Sequence, residues 1–250
     1  MKKVIIVVAC VFVSILGSSS AAWAQTKRIL FVVTNHDKMG ETEKPTGYSM
    51  TEVAGCWNEL YNAGYEIDFV SPLGGKAPVD NFGLNLSEKA NRAFWDNPKE
   101  RYKIEHTFKP SEVKSSNYDA IYFVGGHGAM WDFVQNDELA KITTEIYEKS
   151  GIVSAVCHGL AGLLNIKLSN GHFLIQDKKI NGFTNEEELA IHLEKAVPFM
   201  LETKLIERGG IFEKSGLWQS HVAIDQRLIT GQNPASAKYV GIAILEQLKK

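Results

Sequence analysis

The sequence is poor in cysteine, and it lacks both a block of basic residues and a strong net charge. Three cysteines among 250 residues cannot make a disulfide framework, and a chain of this length can bury an adequate core without one. The formal net charge is only -2, and no Lys/Arg block is interleaved with aromatics, so the electrostatic footprint of a nucleic-acid-binding protein is missing. The 44% of apolar residues instead indicates a folded globular chain.

Long apolar runs are missing as well, except at the amino terminus. There a basic start at Met1–Lys3 precedes an apolar segment over residues 4–16, and small residues flank Trp23. This pattern predicts a secretory signal peptide over residues 1–24 that is cleaved before Gln25, with export to the periplasm. A retained membrane anchor is disfavoured because the apolar segment is short, and no later stretch is long enough to span a membrane.

Short runs of β-branched and aromatic residues alternate with segments of helical spacing. Continuous apolar runs of this length are typical of strands buried on both faces, so a strand-helix-strand pattern that repeats predicts a parallel sheet covered by helices, with right-handed crossovers. The predicted strands cover residues 29–33, 67–70, 121–124 and 152–156, and the predicted helices between them cover residues 51–63 and 137–149.

The rest of the chain is assigned to the same single domain, residues 25–250, because no repeat or linker divides it. Residues 72–116 are predicted to be an insertion at the sheet edge, with a helix over residues 86–95. A hairpin is expected near the carboxyl end, with strands at 222–224 and 228–230, and a last helix at 234–248.

The most informative segment is the run from the fourth predicted strand into Cys157-His158-Gly159. An apolar strand that leads directly into a cysteine and then into small residues is typical of a nucleophile elbow, which projects the side chain into the crevice at the carboxyl ends of the strands. The helix start behind Cys157 is expected to stabilise a thiolate, and Gly159 to allow close approach of the backbone. The alternative is that Cys157 is a small buried hydrophobe.

A second glycine-rich turn, Val124-Gly125-Gly126-His127-Gly128, ends the third predicted strand. In a parallel sheet it lies on the same side as Cys157, so its backbone N–H groups could face an oxyanion that forms beside the sulfur. An ordinary turn that needs glycines for its dihedral angles would have the same sequence.

Taken together, five motifs along the chain resemble those of the ThiJ/PfpI superfamily, whose fold is the class I glutamine amidotransferase-like fold. They are most similar to the branch of heat-shock chaperones with glyoxalase III activity. The resemblance implies a flavodoxin-like three-layer α/β sandwich. The motifs are Thr46-Gly47 leading to Glu52, Gly126-His127-Gly128, Ala155-Val156-Cys157-His158-Gly159, Gly182-Phe183-Thr184-Asn185 with Glu188, and Thr230-Gly231-Gln232-Asn233-Pro234-Ala235-Ser236.

The resemblance also implies roles for individual residues. Cys157 would be the nucleophile, and His158 and Glu188 would complete a Cys-His-Glu triad. Glu52, in its protonated form, would donate a hydrogen bond to the sulfur, and the backbone amides of Gly126 and His158 would form the oxyanion site. Because Glu186, Glu187 and Glu188 are consecutive, the triad carboxylate is assigned by spacing alone.

The activity that the resemblance implies is glutathione-independent conversion of methylglyoxal, or a related small 2-oxoaldehyde, to a D-lactate-type 2-hydroxy acid. A soft nucleophile adds to the aldehyde and a base moves a proton between adjacent carbons, so neither a metal nor an organic cofactor is expected. Glu52 is favoured over His158 as that base. The alternatives are a thiol amidase or peptidase and a holding chaperone; monomer and homodimer both stay open.

Three further predictions concern the surroundings of the elbow. His127 and Trp131 are expected to line the substrate pocket, with Trp218 as another candidate. The histidines show no HxxxH spacing, which argues against a metal. Cys56 lies one helical turn after Glu52, and is interpreted as a buried core cysteine rather than as a disulfide partner of Cys157.

Overall fold

The computed structural model describes residues 27–42, 44–80 and 84–250, so the predicted signal peptide lies outside the described residues. In these ranges strands and helices alternate along the chain. The strands are β1 (Arg28–Val32), β2 (Glu66–Val70), β3 (Ala120–Phe123), β4 (Ile152–Val156), β5 (Lys179–Ile180), β6 (Ile211–Phe212), β7 (Val222–Asp225) and β8 (Leu228–Gly231). The α-helices are α1 (Met50–Asn62), α2 (Lys89–Trp95), α3 (Pro98–Glu105), α4 (Ala129–Asp132), α5 (Asp137–Glu148), α6 (Asn185–Ala190), α7 (Leu201–Glu207) and α8 (Ala237–Leu248).

A six-stranded sheet with the order β2-β1-β3-β4-β8-β7 forms the centre of the molecule. All neighbouring strands in it are parallel except the β7–β8 pair, which is antiparallel. The predicted, mainly parallel α/β sandwich is confirmed. β5 and β6 form a small separate parallel pair.

The strand order determines where a site can form. From the central pair β1 and β3, the chain crosses to β2 on one side and to β4 on the other, so right-handed crossovers place α1 and α5 on opposite faces. Helix α8 packs along α1 and completes its layer. The crevice at the carboxyl ends of β1 and β3 is the point where the strand order reverses, and open α/β sheets bind ligands there.

Large buried side chains from adjacent strands hold the sheet and helix layers together. Phe31, on β1, packs edge-on against Phe69 and Tyr122 of the two neighbouring strands, with ring centroids 5.6 and 4.8 Å apart. Their register makes this possible, because Phe31 is paired with Phe69 on one side and with Tyr122 on the other. Every residue of β3 and β4 is buried, which explains why these strands appear in the sequence as continuous apolar runs.

For the majority of the strands and helices, the observed ends differ from the predicted ends by a few residues. The first strand and first helix each begin one residue early, and the predicted helix at 86–95 begins only at Lys89. The last predicted helix divides in two, with a 3₁₀ turn at Pro234–Ser236 before α8. Asn233 closes that turn through two hydrogen bonds. Its backbone N–H donates to Ser236 Oγ, and the Ser236 hydroxyl donates to Asn233 Oδ1.

The segment 72–116 contains a second helix, α3, that the sequence analysis did not predict. Asn97 caps this helix by accepting hydrogen bonds from the backbone N–H groups of Lys99 and Glu100, and Pro98 occupies its first turn. The segment then runs along the edge strand β2, where the backbone N–H of Phe108 donates to the carbonyl of Phe69. Across the described residues, no helix has the length and apolar character needed to cross a bilayer.

Candidate active site

The loop after β4 has the geometry of a nucleophile elbow. Cys157 has a φ of 55°, a left-handed value that is uncommon for a residue other than glycine. A 3₁₀ helix, Cys157–Leu163, follows directly. A Cβ atom at position 159 would collide with the carbonyl oxygen of Phe123, so only glycine fits there, as the sequence analysis predicted. The elbow therefore aims the Cys157 side chain out of the sheet.

The sulfur reaches a cavity of about 300 Å³ at the carboxyl ends of the strands. Cys157 is 3% exposed, and that small fraction faces the cavity rather than bulk solvent. The lining is mainly apolar, with a few polar groups gathered near the sulfur. Besides Cys157, the lining residues are Met39, Lys44, Ser49, Glu52, Asp80, Gly126, His127, His158, Phe183, Ile191, Leu193, Trp218 and Pro234.

Three of the predicted residues form a connected chain of side chains. The Cys157 Sγ lies 3.3 Å from His158 Nδ1, and His158 Nε2 lies 2.8 Å from Glu188 Oε2. The Glu188 carboxylate can only accept a hydrogen bond, so His158 Nε2 carries the imidazole proton and donates it to that bond. Nδ1 is left with its lone pair facing the sulfur. His158 can therefore accept the thiol proton.

The three consecutive glutamates of α6 have different environments. Glu186 lies at the surface, where its Oε1 is 3.1 Å from Lys214 Nζ. Glu187 is fully buried and makes a capping box with Thr184, the N-cap of the helix. Of the three, only Glu188 hydrogen bonds to His158, so the structure supports the assignment that spacing suggested.

His127 shares Glu188 with His158. Its Nε2 lies 3.1 Å from Glu188 Oε1, its ring centroid is 4.0 Å from that of His158, and its Nδ1 is 4.0 Å from Asp80 Oδ2. The carboxylate thus accepts from two imidazoles, one on each oxygen. His127 lines the cavity, where the sequence analysis placed it.

The pKa values of Glu188 and His158 are both lowered, and this determines their charge states at neutral pH. Burial alone would raise the pKa of Glu188, but the two histidines outweigh it and lower the pKa to about 2. Burial and the neighbouring His127 lower the pKa of His158, although Glu188 opposes them. At neutral pH the pair is therefore an ionised carboxylate that orients a neutral imidazole.

Glu52 also lies beside Cys157. It is fully buried in the first turn of α1, and its Oε2 accepts a hydrogen bond from the backbone N–H of Gly125 at 2.8 Å. Its Oε1 has no hydrogen-bond partner among the described residues. Burial raises the pKa of Glu52 to about 8, against the opposing effects of the Cys157 thiol and the Gly125 amide. The carboxyl is therefore protonated at neutral pH. Its Oε2 is hydrogen bonded to Gly125, and its Oε1 makes no hydrogen bond to the described residues.

The surroundings of Cys157 act against the thiolate that the sequence analysis expected from the helix start behind it. Burial raises the pKa of the Cys157 thiol, and the neighbouring Glu52 carboxyl raises it further. The backbone N–H of His158 opposes this effect but does not outweigh it. Cys157 and Glu52 thus rest as a thiol and a carboxylic acid, and the sulfur ionises by giving its proton to His158.

The backbone amides predicted for an oxyanion site lie at the two turns beside the sulfur. The N–H of Gly126 has no acceptor among the described residues, whereas the N–H of Gly125 is already used by Glu52. Gly126 has a φ of 102°, and a Cβ there would collide with the carbonyl oxygen of Gly47. This close approach explains why Thr46-Gly47 belongs to the pattern: the segment it starts leads into α1 and Glu52.

Of the two tryptophans considered as pocket residues, Trp218 lines the cavity and Trp131 does not. Trp131 does not line this cavity; its indole stacks on His36, with ring centroids 4.7 Å apart. Trp218 does line it, together with Asp80 from the segment 72–116. The sequence analysis did not identify Asp80 at all, because a lone acidic residue in a long loop carries no periodic or motif signal.

The second cysteine of the described chain is buried in the core. Cys56 is fully buried on the side of α1 that packs on α8, and both it and Cys157 are free thiols. A Cβ at Gly241 of α8 would lie 3.0 Å from the Cys56 backbone, which shows how closely the two helices approach. The interpretation of Cys56 as a core residue is supported.

The same cluster also has the donor set of a metal site. One ligand atom from each of His127, His158 and Glu188 lies within 4.8 Å of the others, and all three residues are buried. The described atoms are already joined by hydrogen bonds between the carboxylate and the two imidazoles.

The chain has extensive similarity to known proteins. The profile of the DJ-1/PfpI family matches residues 44–247. A glyoxalase 3 of Candida albicans is 30% identical over 84% of this chain and 93% of its own length. A glutathione-independent glyoxalase of Saccharomyces cerevisiae is 30% identical over 89% of this chain and 98% of its own length. A crystal structure of glyoxalase III from C. albicans superposes with a TM-score of 0.81 at 26% identity, over 89% of this chain and 98% of that one.

A second solved structure is nearer in sequence. The rapid encystment protein of 24 kDa from Francisella tularensis superposes with a TM-score of 0.86 at 37% identity, and covers 89% of this chain and 99% of that one. A family profile that spans most of the chain, with curated relatives matched over nearly their full length, agrees with the fold and with the cysteine elbow. This chain belongs to the DJ-1/PfpI family.

Proposed function

We propose that this protein is a glutathione-independent glyoxalase that converts methylglyoxal or a related 2-oxoaldehyde to the corresponding D-2-hydroxy acid, such as D-lactate. The observation that carries the proposal is the Cys157–His158–Glu188 chain, which faces a cavity that the protonated Glu52 also lines. The names of the relatives support the same activity.

Addition to the aldehyde is the first step. The thiol proton of Cys157 passes to His158 Nδ1, and the sulfur bonds to the aldehyde carbon. The carbonyl oxygen takes the proton of Glu52 and so becomes the hydroxyl of a hemithioacetal. The step leaves an imidazolium beside the Glu188 carboxylate and an ionised Glu52, and the amides of Gly126 and His158 stabilise charge on the oxygen as it develops.

Proton transfer between the two substrate carbons is the second step. The ionised Glu52 removes the hydrogen from the carbon that carries the sulfur, while His158 protonates the ketone oxygen, which gives an enediol. Glu52 then returns its proton to the adjacent carbon, and His158 takes the proton of the hydroxyl on the sulfur-bearing carbon. The product is a 2-hydroxy thioester of Cys157.

Hydrolysis of the thioester is the third step. Glu52 takes a proton from the attacking water, and the tetrahedral intermediate expels the sulfur. The sulfur recovers its proton from His158, so Cys157, His158 and Glu52 return to their resting forms and the 2-hydroxy acid leaves. The only co-reactant is water, and the proton count balances without any other cofactor.

The alternative as an amidase or peptidase has less support. The same triad could perform acyl transfer, but a peptide requires an open groove, and the sulfur here lies 3% exposed in a cavity of about 300 Å³.

The direct test is an assay of purified protein with methylglyoxal in buffer free of glutathione. We expect loss of the dicarbonyl to be matched mole for mole by D-lactate, detected with a D-specific lactate dehydrogenase. Racemic lactate, or lactate formation that depends on added thiol, would contradict the proposal.

The acid and base roles predict a pH profile for kcat/KM, which reports the free enzyme. Glu52 acts first as an acid, so kcat/KM should fall as pH rises through about 8, the pKa of Glu52. His158 acts first as a base with a lowered pKa, so the acidic decline should come only below the ordinary range of histidine. A kcat/KM that rises above pH 8 would instead mean that thiol ionisation limits the reaction. The Cys157→Ala variant serves as the blank for base-catalysed loss of substrate.

We also propose that the chain is exported to the periplasm and cleaved after Ala24. The support is the basic start, the apolar segment and the small residues before Gln25. The intact mass of protein from a periplasmic fraction should correspond to a chain that begins at Gln25, and Ala22→Arg with Ala24→Arg should block the cleavage. A mature chain that retains Met1 would contradict the proposal.

A further inference from the structure

We infer that the cavity selects 2-oxoaldehydes whose ketone carries a planar aromatic group, and that Trp218 determines this selectivity. The inference rests on the proposed function, because it names the substrate class of the same site. It follows from the size of the cavity, from a row of aromatic rings that starts at the triad, and from the way in which the backbone of Trp218 is held.

The cavity is large for the smallest substrates of this chemistry. Its volume of about 300 Å³ is at the lower end of the range of drug-sized sites. Methylglyoxal has only a methyl group beyond its two carbonyls, so most of the apolar space would still hold water when it is bound. A bulkier substituent on the ketone would fill that space.

Aromatic rings extend from the triad toward the mouth of the cavity. The Phe183 ring lies 4.3 Å from that of His158 at 34°, and the Trp218 ring lies 5.9 Å from that of Phe183 at 50°. Phe183 is buried, whereas Trp218 is 47% exposed. A ring attached next to the carbon that bonds Cys157 would lie along this row and cover the exposed face of Trp218. Ring pairs at these separations attract each other beyond the effect of area alone.

The charged residues away from the sulfur do not favour a charged substituent. Lys44 and Asp80 both line the cavity, and their charges are opposite. The wall also includes the apolar side chains of Met39, Ile191 and Leu193. The cavity therefore selects by apolar shape rather than by charge.

The position of Trp218 is built into the fold. Its φ of 63° is left-handed, which is rare for a large side chain. Its backbone N–H donates to Glu187 Oε1 at 3.0 Å, and the same oxygen accepts from Gln232 Nε2 at 3.1 Å and Asn233 Nδ2 at 2.7 Å. Glu187 is 0% exposed. A fully buried carboxylate thus holds a half-exposed indole over the cavity, and this arrangement has no part in the proton transfers at Cys157.

The test compares kcat/KM for phenylglyoxal, methylglyoxal and cyclohexylglyoxal. Cyclohexylglyoxal matches phenylglyoxal in size but is neither planar nor aromatic. For the wild type we expect phenylglyoxal to exceed methylglyoxal by about tenfold or more, and to exceed cyclohexylglyoxal by several-fold. Trp218→Ala should lower the ratio of kcat/KM for phenylglyoxal to kcat/KM for methylglyoxal by about fivefold or more. Trp218→Phe should restore most of the preference.

Trp131→Ala is the matched control, because Trp131 stacks on His36 outside the cavity, and it should leave the ratio of the substrates unchanged. Near-ultraviolet circular dichroism should confirm that each variant is folded. If methylglyoxal is consumed but phenylglyoxal has no advantage, or if Trp218→Ala lowers all three substrates equally, the inference is overturned and the proposed function stands. Equal rates for phenylglyoxal and cyclohexylglyoxal would also overturn it. If none of the dicarbonyls is consumed, the proposed function itself fails.

Discussion

Replacing Cys157 with alanine is expected to abolish glutathione-independent turnover of methylglyoxal, with a loss of roughly 10³-fold or more in kcat. The hemithioacetal cannot form without the sulfur, and neither His158 nor Glu52 offers a comparable nucleophile. Because the Cys157 side chain borders a cavity, its removal leaves no new hydrocarbon void. We therefore expect the free energy of unfolding to change by less than about 1 kcal/mol. D-lactate formation and thermal unfolding measure the two effects separately.

The other described cysteine provides the control. Cys56→Ala removes a sulfur of the same size from the packed interface between α1 and α8, and should cost about 1 kcal/mol of stability without altering turnover per folded molecule. Substantial turnover that persists in Cys157→Ala would remove the sulfur from the mechanism. Loss of turnover in both variants would mean that the assay reports folding and not chemistry.

Glu52→Gln is expected to lower kcat by about 10² to 10⁴-fold. Glutamine has nearly the same shape, and its carbonyl oxygen can still accept the hydrogen bond from Gly125 that Glu52 Oε2 accepts at 2.8 Å. It can neither donate a carboxylic proton nor take one from carbon. The proposed role therefore predicts a loss mainly in kcat, with KM little changed and the fold intact.

Glu59→Gln is the matched control, since Glu59 lies on the same helix but away from the cavity. It should behave as the wild type. A rise in KM at constant kcat in Glu52→Gln would make Glu52 a binding group, and His158 would then be the base that moves the substrate proton. Near wild-type rates would exclude Glu52 from the reaction.

The parts of this fold that were predictable from the sequence are those whose cause is local. β4 is buried along its whole length, so it appears as an uninterrupted apolar run, and the elbow after it needs Gly159 for a steric reason that does not depend on distant residues. Glu188 could be placed by its distance from the Gly-Phe-Thr turn, because Thr184 caps the helix and fixes which carboxylate faces His158.

The missed features depend on tertiary surroundings. Nothing in the sequence distinguishes Trp131, which stacks on His36, from Trp218, which borders the cavity. Trp131 lies on the four-residue helix α4 and Trp218 lies in a loop, and neither segment is long enough to show a periodic pattern. The ionisation state of Cys157 was predicted from its place after a strand, but burial and Glu52, which is far away along the chain, determine the pKa of the thiol. Helix α3 was missed although Asn97-Pro98 is a recognisable start signal.

The depth of the Cys157 sulfur also decides which oxidants can reach it. Thiol–disulfide exchange with another protein requires in-line approach of a second polypeptide's sulfur, and a group that is only 3% exposed restricts that approach. A molecule the size of a peroxide meets less steric hindrance. In an oxidising compartment, burial would therefore protect this sulfur from enzymes that insert disulfides more than from small oxidants, which act on the thiolate.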